Sequence, residues 1–150
     1  MEKDERNAIT DERMERFSVS IWIRLAHVYA KMTHALTEQL RGWALSLAQF
    51  DVLVQVNEAE GLMQQELAQR LLVTKGNVCY LVDKLEQQHL LVRRNEGRVN
   101  RLFLTVQGQQ LLAEVLPAHR KALASLFASL SSEDLSALLA SLRTLDKALP

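Results

Sequence analysis

The residues from Thr74 to Lys84 combine a helical apolar period with a polar face able to hydrogen-bond a large partner. Val78, Leu81, Val82 and Leu85 recur at the spacing of one buried helix face. Thr74, Lys75, Gly76, Asn77, Tyr80 and Lys84 fill the first turn or the opposite face. Asn pairs bidentately with an adenine edge, and Lys reaches guanine O6 or N7 or a phosphate. Gly76 removes a side chain where a nucleic-acid backbone would approach closely. Thr74 is placed to cap the helix and reach a phosphate. Tyr80, one turn in, is placed for a phosphate or a thymine methyl. Between Arg70 and Arg101 seven basic residues, Arg93, Arg94, Arg98 and Arg101 among them, stand against three acidic ones, a local +4 in a chain of zero formal net charge. Such a patch is the electrostatic footprint of a polyanion. A solvated face is the alternative that charge alone leaves open.

The periodicity around this stretch supplies the elements that must position it. At 150 residues the chain has one domain's length and enough to bury a core. Residues 1–16 mix charges without apolar period and are expected as a flexible tail or a ragged lead-in to the first helix. A helical stripe runs from Phe17 to Leu40 and is expected to end at Gly42. Further helices are expected from about Leu47 to Glu58, ended by Gly61, and from Gln64 to Leu71, burying Leu67 and Leu71 or Leu72. Thr74 then caps the helix already described. The period changes in "LLVRR" and "RLFLT", two short β-type runs joined by "NEGRVN", which together read as a hairpin. Thr105 is expected to cap a long helix kinked at Pro117. Ser131 or Ser132, followed by Glu133 and Asp134, begins a last one. All five glycines fall near breaks, where freedom at positive φ is useful.

The expected fold is therefore mainly α with a small β-wing. Helix, helix and hairpin in that order make a winged helix-turn-helix, whose second helix enters the major groove with its N-terminal residues at the base edges. On this reading Arg98, just past the hairpin glycine, reaches the minor groove, and Arg93, Arg94 and Arg101 meet phosphates. The first helix and the last two carry more apolar surface than a monomer covers, with leucines at 135, 138, 139, 142, 145 and 149. That surplus points to a homodimer, with a compact all-α monomer as the alternative. The expected lobes are about 47–105 for DNA binding and about 17–46 with 106–150 for dimerisation, within one domain spanning 17–150.

The segment "LSLAQFDVLVQVNEAEGLMQQELAQRLLVTKGNVCYLVDKLEQQHLLVRR…RLFLTVQGQQLL" resembles the multiple antibiotic resistance regulator (MarR) family. The resemblance rests on Leu-x-x-x-Gln-Phe at the second helix, Glu-Leu-Ala in the third, Val-x-x-Leu-Val-x-x-Leu-Glu in the fourth and Leu-Thr-x-x-Gly after the wing. It covers roughly Phe17 to Leu149. It implies an obligate dimer with a winged helix-turn-helix in each subunit. It also implies transcriptional control, usually repression, released by a small molecule or an oxidant. Two departures stand out. The family's wing tip usually carries Asp-x-Arg, and here Glu96-Gly97-Arg98 replaces it on a short wing. His89 occupies a position where the family typically has glycine, and a left-handed turn there would cost a non-glycine residue about 1 kcal/mol.

Other candidate sites are weaker. Cys79, the single cysteine, cannot form an intrachain disulfide. It lies near a helix start with Lys75 one turn back, a setting in which thiols sense oxidants; an inert small hydrophobe is the alternative. His27, His34, His89 and His119 lack metal-ligand spacing, so no metal is expected, and no cofactor either. The resemblance implies an effector pocket between the first, second and fifth helices. Trp22 and His27, read as near one another on helical spacing, are with Trp43 and Phe50 the candidates there and suit a small aromatic acid; core packing with one solvent-facing histidine is the alternative. No phosphate loop, metalloprotease motif or nucleophile elbow is present, which argues against an enzyme. The expected partners are a pseudo-palindromic double-stranded operator and a second copy of the chain. The charged N-terminus and the lack of a long apolar run give no sign of export or a membrane span, so a cytoplasmic protein is expected. The alternative from another class is a helical protein-interaction module with weakened DNA binding.

Overall fold

A computed structural model describes the backbone of residues 2–150 and the side chains of 11–150. Helix α1 spans Glu2–Leu40 and a 3-10 turn covers Arg41–Trp43. Then come α2 (Leu47–Glu58), β1 (Leu62–Met63), α3 (Gln64–Leu71), α4 (Lys75–Gln87), β2 (Leu91–Glu96), β3 (Val99–Leu104), α5 (Val106–Leu126) and α6 (Ser132–Ala148). The mainly helical fold with a β-wing is thus present. Met1 lies outside the described residues, as do the side chains of 2–10. The backbone of 2–16, expected as tail or lead-in, is drawn as part of α1. The chain divides into two compact units, one ending at Ala35 and one spanning Leu36–Pro150. No helix of the described residues is long and apolar enough to cross a membrane.

Local chemistry sets most boundaries. Ser46, Thr74, Thr105 and Ser131 each accept a backbone N–H three residues on, from Gln49, Asn77, Gly108 and Asp134. These are N-caps satisfying amides that the helix leaves orphaned. Gln49 completes a capping box on Ser46 and its Nε2 also donates at 3.1 Å to Oε1 of Gln88, the residue that follows α4. Leu45 and Phe50 flank it in the core. The Leu-x-x-x-Gln-Phe pattern therefore caps α2, pins it to α4 and seats it.

Within the second unit, Leu40, Leu53, Val56, Leu67, Val78, Val82, Leu85 and Leu102 are among the residues wholly out of solvent. All four periodic residues of α4 are buried. The sheet has the order β1-β3-β2, antiparallel throughout. Strand β1 pairs Leu62 with Leu102 and Met63 with Arg101, and its two residues give no periodicity by which to foresee it. The wing pairs six residues on each side, from Leu91 with Leu104 to Glu96 with Val99. Only Gly97 and Arg98 remain as its loop, not the whole of "NEGRVN". Gly97 has φ 67 and Arg98 is not among the left-handed residues, the pattern of a type II′ hairpin turn.

The left-handed positions depart from expectation. Gly42, Gly76 and Gly108 do not have positive φ, while Ala44, Leu72 and His89 do. Gly42 lies inside the 3-10 turn, and Ala44 makes the break. His89 does sit in a left-handed turn: its N–H donates to Glu86 O, and the N–H of Leu90 donates to Leu85 O at 3.0 Å. That is a Schellman motif, closed by the apolar pair Leu85 and Leu90. Leu72 occupies the corresponding place after α3 and is 93% exposed, not buried as one reading of the sequence had it. His89→Gly is expected to raise stability by roughly 0.5–1 kcal/mol, the left-handed cost recovered less part of glycine's chain entropy. A urea midpoint that stays put or falls would show that the imidazole offsets its own strain.

Candidate nucleic-acid interface

The first turn of α4 is an exposed polar tip. Thr74 caps it through Oγ1, 3.2 Å from the Asn77 N–H, and Thr74, Lys75, Gly76 and Asn77 are all exposed. A Cβ added at Gly76 would meet nothing within 4 Å. The fold therefore has no internal need of glycine there, although glycine in a helix costs about 0.5–1 kcal/mol against alanine. Tyr80 is exposed one turn on, and Lys84 Nζ lies 5.7 Å from its ring centroid, within cation–π range.

The arginines of the wing divide by the faces of its strands. Leu91, Arg93 and Asn95 share one face of β2 by the two-residue period, and Leu91 is buried. Arg93 is accordingly turned to α4. Its Nε donates to Glu86 Oε2 at 3.0 Å, its other guanidinium nitrogen pairs with Asp83, and its backbone N–H donates to Glu86 Oε1 at 2.7 Å. Arg93 thus bolts the wing to α4 and has its charge matched, unlike the phosphate contact expected of it. Arg94 faces the other way, its guanidinium 4.4 Å from the Phe103 ring centroid. Arg101 donates to Glu96 Oε2 at 2.6 Å and to the Gly61 carbonyl at 3.0 Å. Arg98 is exposed at the wing tip.

All three acids between Arg70 and Arg101 are consumed by Arg93 and Arg101. Arg70, Lys75, Lys84, Arg94 and Arg98 have no carboxylate within ion-pairing distance among the described residues. Of these five, Lys75 and Arg98 line one cavity at the α4 tip, while Arg70 donates to Gln55 and Lys84 and Arg94 lie over aromatic rings.

Cys79 is exposed on α4, and Gln64 Nε2 donates to its sulfur at 2.8 Å. An open cavity of about 250 Å³ lies beside it, lined by Met63, Gln64, Gln65, Lys75, Cys79, Arg98, Val99 and Asn100. Gln64, Gln65 and Asn100 were not singled out from the sequence; only the position of the glutamines at a helix start could have drawn attention to them.

The aromatic candidates separate. Trp22 and His27 belong to the first unit, where both are exposed, Trp22 by 72%. Five residues apart on a helix, they stand about 140° apart around its axis and share no face, a correction to their reading as near neighbours. Phe50 and Trp43 belong to the second unit. Phe50 is buried with its ring centroid 4.2 Å from that of His119, and Trp43 Nε1 donates to Glu114 Oε1 at 2.8 Å. His119 Nδ1 lies 3.1 Å from Gln39 Oε1. That oxygen only accepts, so Nδ1 carries the hydrogen. Gln39 Nε2 is buried without a partner.

Burial lowers the His119 pKa below its ordinary value of 6.5. On acidification the unfolded chain then takes up this proton before the folded one does. Stability is fully present above about pH 6.5 and is lost as pH falls from there through the depressed folded value. Thermal melts between pH 8 and 5 should show a steeper acid-side loss for the native protein than for His119→Gln. Parallel curves would mean that His119 is not buried neutral.

A sequence model described as "MarR family" matches residues 45–101. An uncharacterized HTH-type transcriptional regulator of Bacillus cereus is 32% identical over 124 residues, covering 83% of this chain and 84% of that protein. AbsC, a MarR family transcriptional regulator from Streptomyces coelicolor, superposes with a TM-score of 0.80 at 24% identity, over 86% of this chain and 91% of its own. BpsR of Bordetella bronchiseptica, whose DNA binding is regulated by 6-hydroxynicotinic acid, superposes with a TM-score of 0.79 at 19% identity, over 85% and 98%.

Proposed function

Since this chain belongs to the MarR family of transcriptional regulators, we propose that it binds a pseudo-palindromic operator as a homodimeric repressor and is released by a small aromatic acid. The observation that carries the DNA-binding part is the exposed α4 tip, Thr74-Lys75-Gly76-Asn77, which shares a cavity with Arg98 of the wing turn. In this reading Asn77 meets a base edge, Lys75 reaches guanine or a phosphate, Thr74 and Tyr80 assist, and Gly76 lets the backbone approach. Arg94, Lys84 and Arg70 neutralise phosphates, and Arg98 stands at the edge of the minor groove, within reach of the phosphates that border it. Arg93 and Arg101 hold the wing in place.

The test is anisotropy of labelled duplexes, the DNA upstream of the protein's own reading frame beside a scrambled control, over a range of salt. Selective binding with a log–log salt slope worth several phosphates is expected. Asn77→Ala should erase the preference between duplexes, whereas Arg94→Ala should weaken both about equally. Weak binding blind to sequence would sink the proposal and favour a protein-interaction module.

The dimer is supported by α6, every residue of which is exposed, its leucine stripe included. An apolar stripe left wholly in water calls for a partner. The aromatic effector is supported by Phe50 and His119 beside Gln39, whose unpartnered amide donor suits a carboxylate, and by the regulation of BpsR. Calorimetry with hydroxylated aromatic acids should give binding that Gln39→Leu abolishes. Heatless titrations across the panel would remove that part.

A further inference from the structure

We infer that the cavity between α3, α4 and β3 seats one backbone phosphate of the operator in each half-site, with Gln64 and Asn100 as phosphate contacts beside Lys75 and Arg98. The inference rests on the DNA-binding reading above and adds to it a site, its ligand and two residues.

The lining is that of an anion site. It offers two cations, Lys75 and Arg98, and three side-chain amides, Gln64, Gln65 and Asn100, and it contains no Asp or Glu. Two helices also begin at its wall: Gln64 and Gln65 open α3 and Lys75 opens α4. Both present the positive ends of their dipoles and their free first-turn amides there. Thr74 satisfies only the Asn77 amide through its side chain, and its carbonyl takes the Val78 amide. Glu66, the one acid in the first turn of α3, is occupied by the Met63 N–H. Gln64 is itself incompletely bonded. Its Nε2 lies on the Cys79 sulfur while its Oε1 is buried with no partner. Turning that amide over would only move the nitrogen to the buried position, so Gln64 donates to an anion by swinging its Nε2 off the Cys79 sulfur.

Position selects the source of the anion. The cavity lies between the first turn of α4 and the wing tip. With α4 in the major groove and the wing at the minor groove, the sugar–phosphate strand separating those grooves has to pass between them. A phosphodiester is therefore brought to the cavity by docking itself, and Met63 and Val99 offer its sugar an apolar wall.

The test uses the full-length protein and a duplex selected from random DNA, with one phosphate at a time replaced by a neutral methylphosphonate. One linkage per half-site should weaken native binding by about tenfold, the scale of a lost charge-assisted hydrogen bond. At that linkage the loss should shrink to under about twofold in Lys75→Gln/Arg98→Gln and in Gln64→Ala/Asn100→Ala, with losses at other linkages retained. The amide variants should leave the salt slope unchanged and the charge variants should lower it. Melts identify any variant that fails to fold, and Asn100→Ser then replaces Asn100→Ala. Selective binding to the unmodified duplex, with no linkage whose effect depends on these residues, would overturn the phosphate seat and leave the regulator reading standing. So would competition by inorganic phosphate at fixed ionic strength without any such linkage, which would make the cavity a free-anion site. Loss of selectivity for every duplex would overturn both.

Discussion

Gly108→Ala is expected to destabilise the fold by about 3 kcal/mol, the upper end of overpacking costs. An added Cβ would lie 2.0 Å from the Leu90 carbonyl oxygen and 3.0 Å from its carbon. Neither atom can yield easily. The oxygen accepts the Thr105 N–H at 3.1 Å, and the Leu90 N–H closes the Schellman turn on Leu85. Thr105 adds a second tie, donating through Oγ1 to the His89 carbonyl at 2.6 Å while capping Gly108. The methyl would drive the start of α5 off the junction between α4 and β2. Here glycine is required by contact, not by conformation, because its φ is not positive. A fall in Tm of roughly 10 °C is expected for a chain of this length. A shift under 2 °C would mean that α5 does not start against Leu90.

The largest functional effect is expected from Leu138→Glu combined with Leu142→Glu. The two positions are one turn apart on the exposed stripe of α6. In the proposed dimer they are covered by the partner, and a carboxylate buried there without a counter-charge costs several kcal/mol. In a monomer they face water and the substitution is nearly neutral. Sedimentation should report twice 17.0 kDa for the native chain and 17.0 kDa or disordered aggregates for the variant. Operator affinity should fall by roughly 10²–10⁴, the advantage lost when two half-sites are no longer bound together. An unchanged mass and affinity would place the interface elsewhere.

What was legible in the sequence was what short-range chemistry decides. The starts of α2, α4 and α5 follow from Ser46, Thr74 and Thr105 bonding amides three residues on, and α3 begins where Glu66 takes the Met63 amide three residues back. The inward residues of α4 follow from its period. Strand β1 was not legible, because two residues carry no period and their partner lies about forty positions away. Leu72 misled because leucine at a helix end normally turns inward, whereas here it makes the left-handed turn. Arg93 could have been read better: two positions from Leu91 on a strand, it had to share the buried face. Trp22 and His27 were a phase error of the same kind, on a helix. The lining of the cavity was out of reach, since it is assembled from three stretches that meet only in the folded chain.

The bond from Arg93 to Glu86 and the bond from Arg101 to the Gly61 carbonyl have a mechanical consequence. The wing is tied to α4 and to the loop ahead of β1 at adjacent rungs in the middle of the hairpin, Arg93 opposite Leu102 and Arg101 opposite Arg94, so its inner half has few internal degrees of freedom. In the proposed complex α4 and the braced half of the wing would therefore move as one piece, while the two rungs and the turn carrying Arg98 beyond them are left to adjust to the groove.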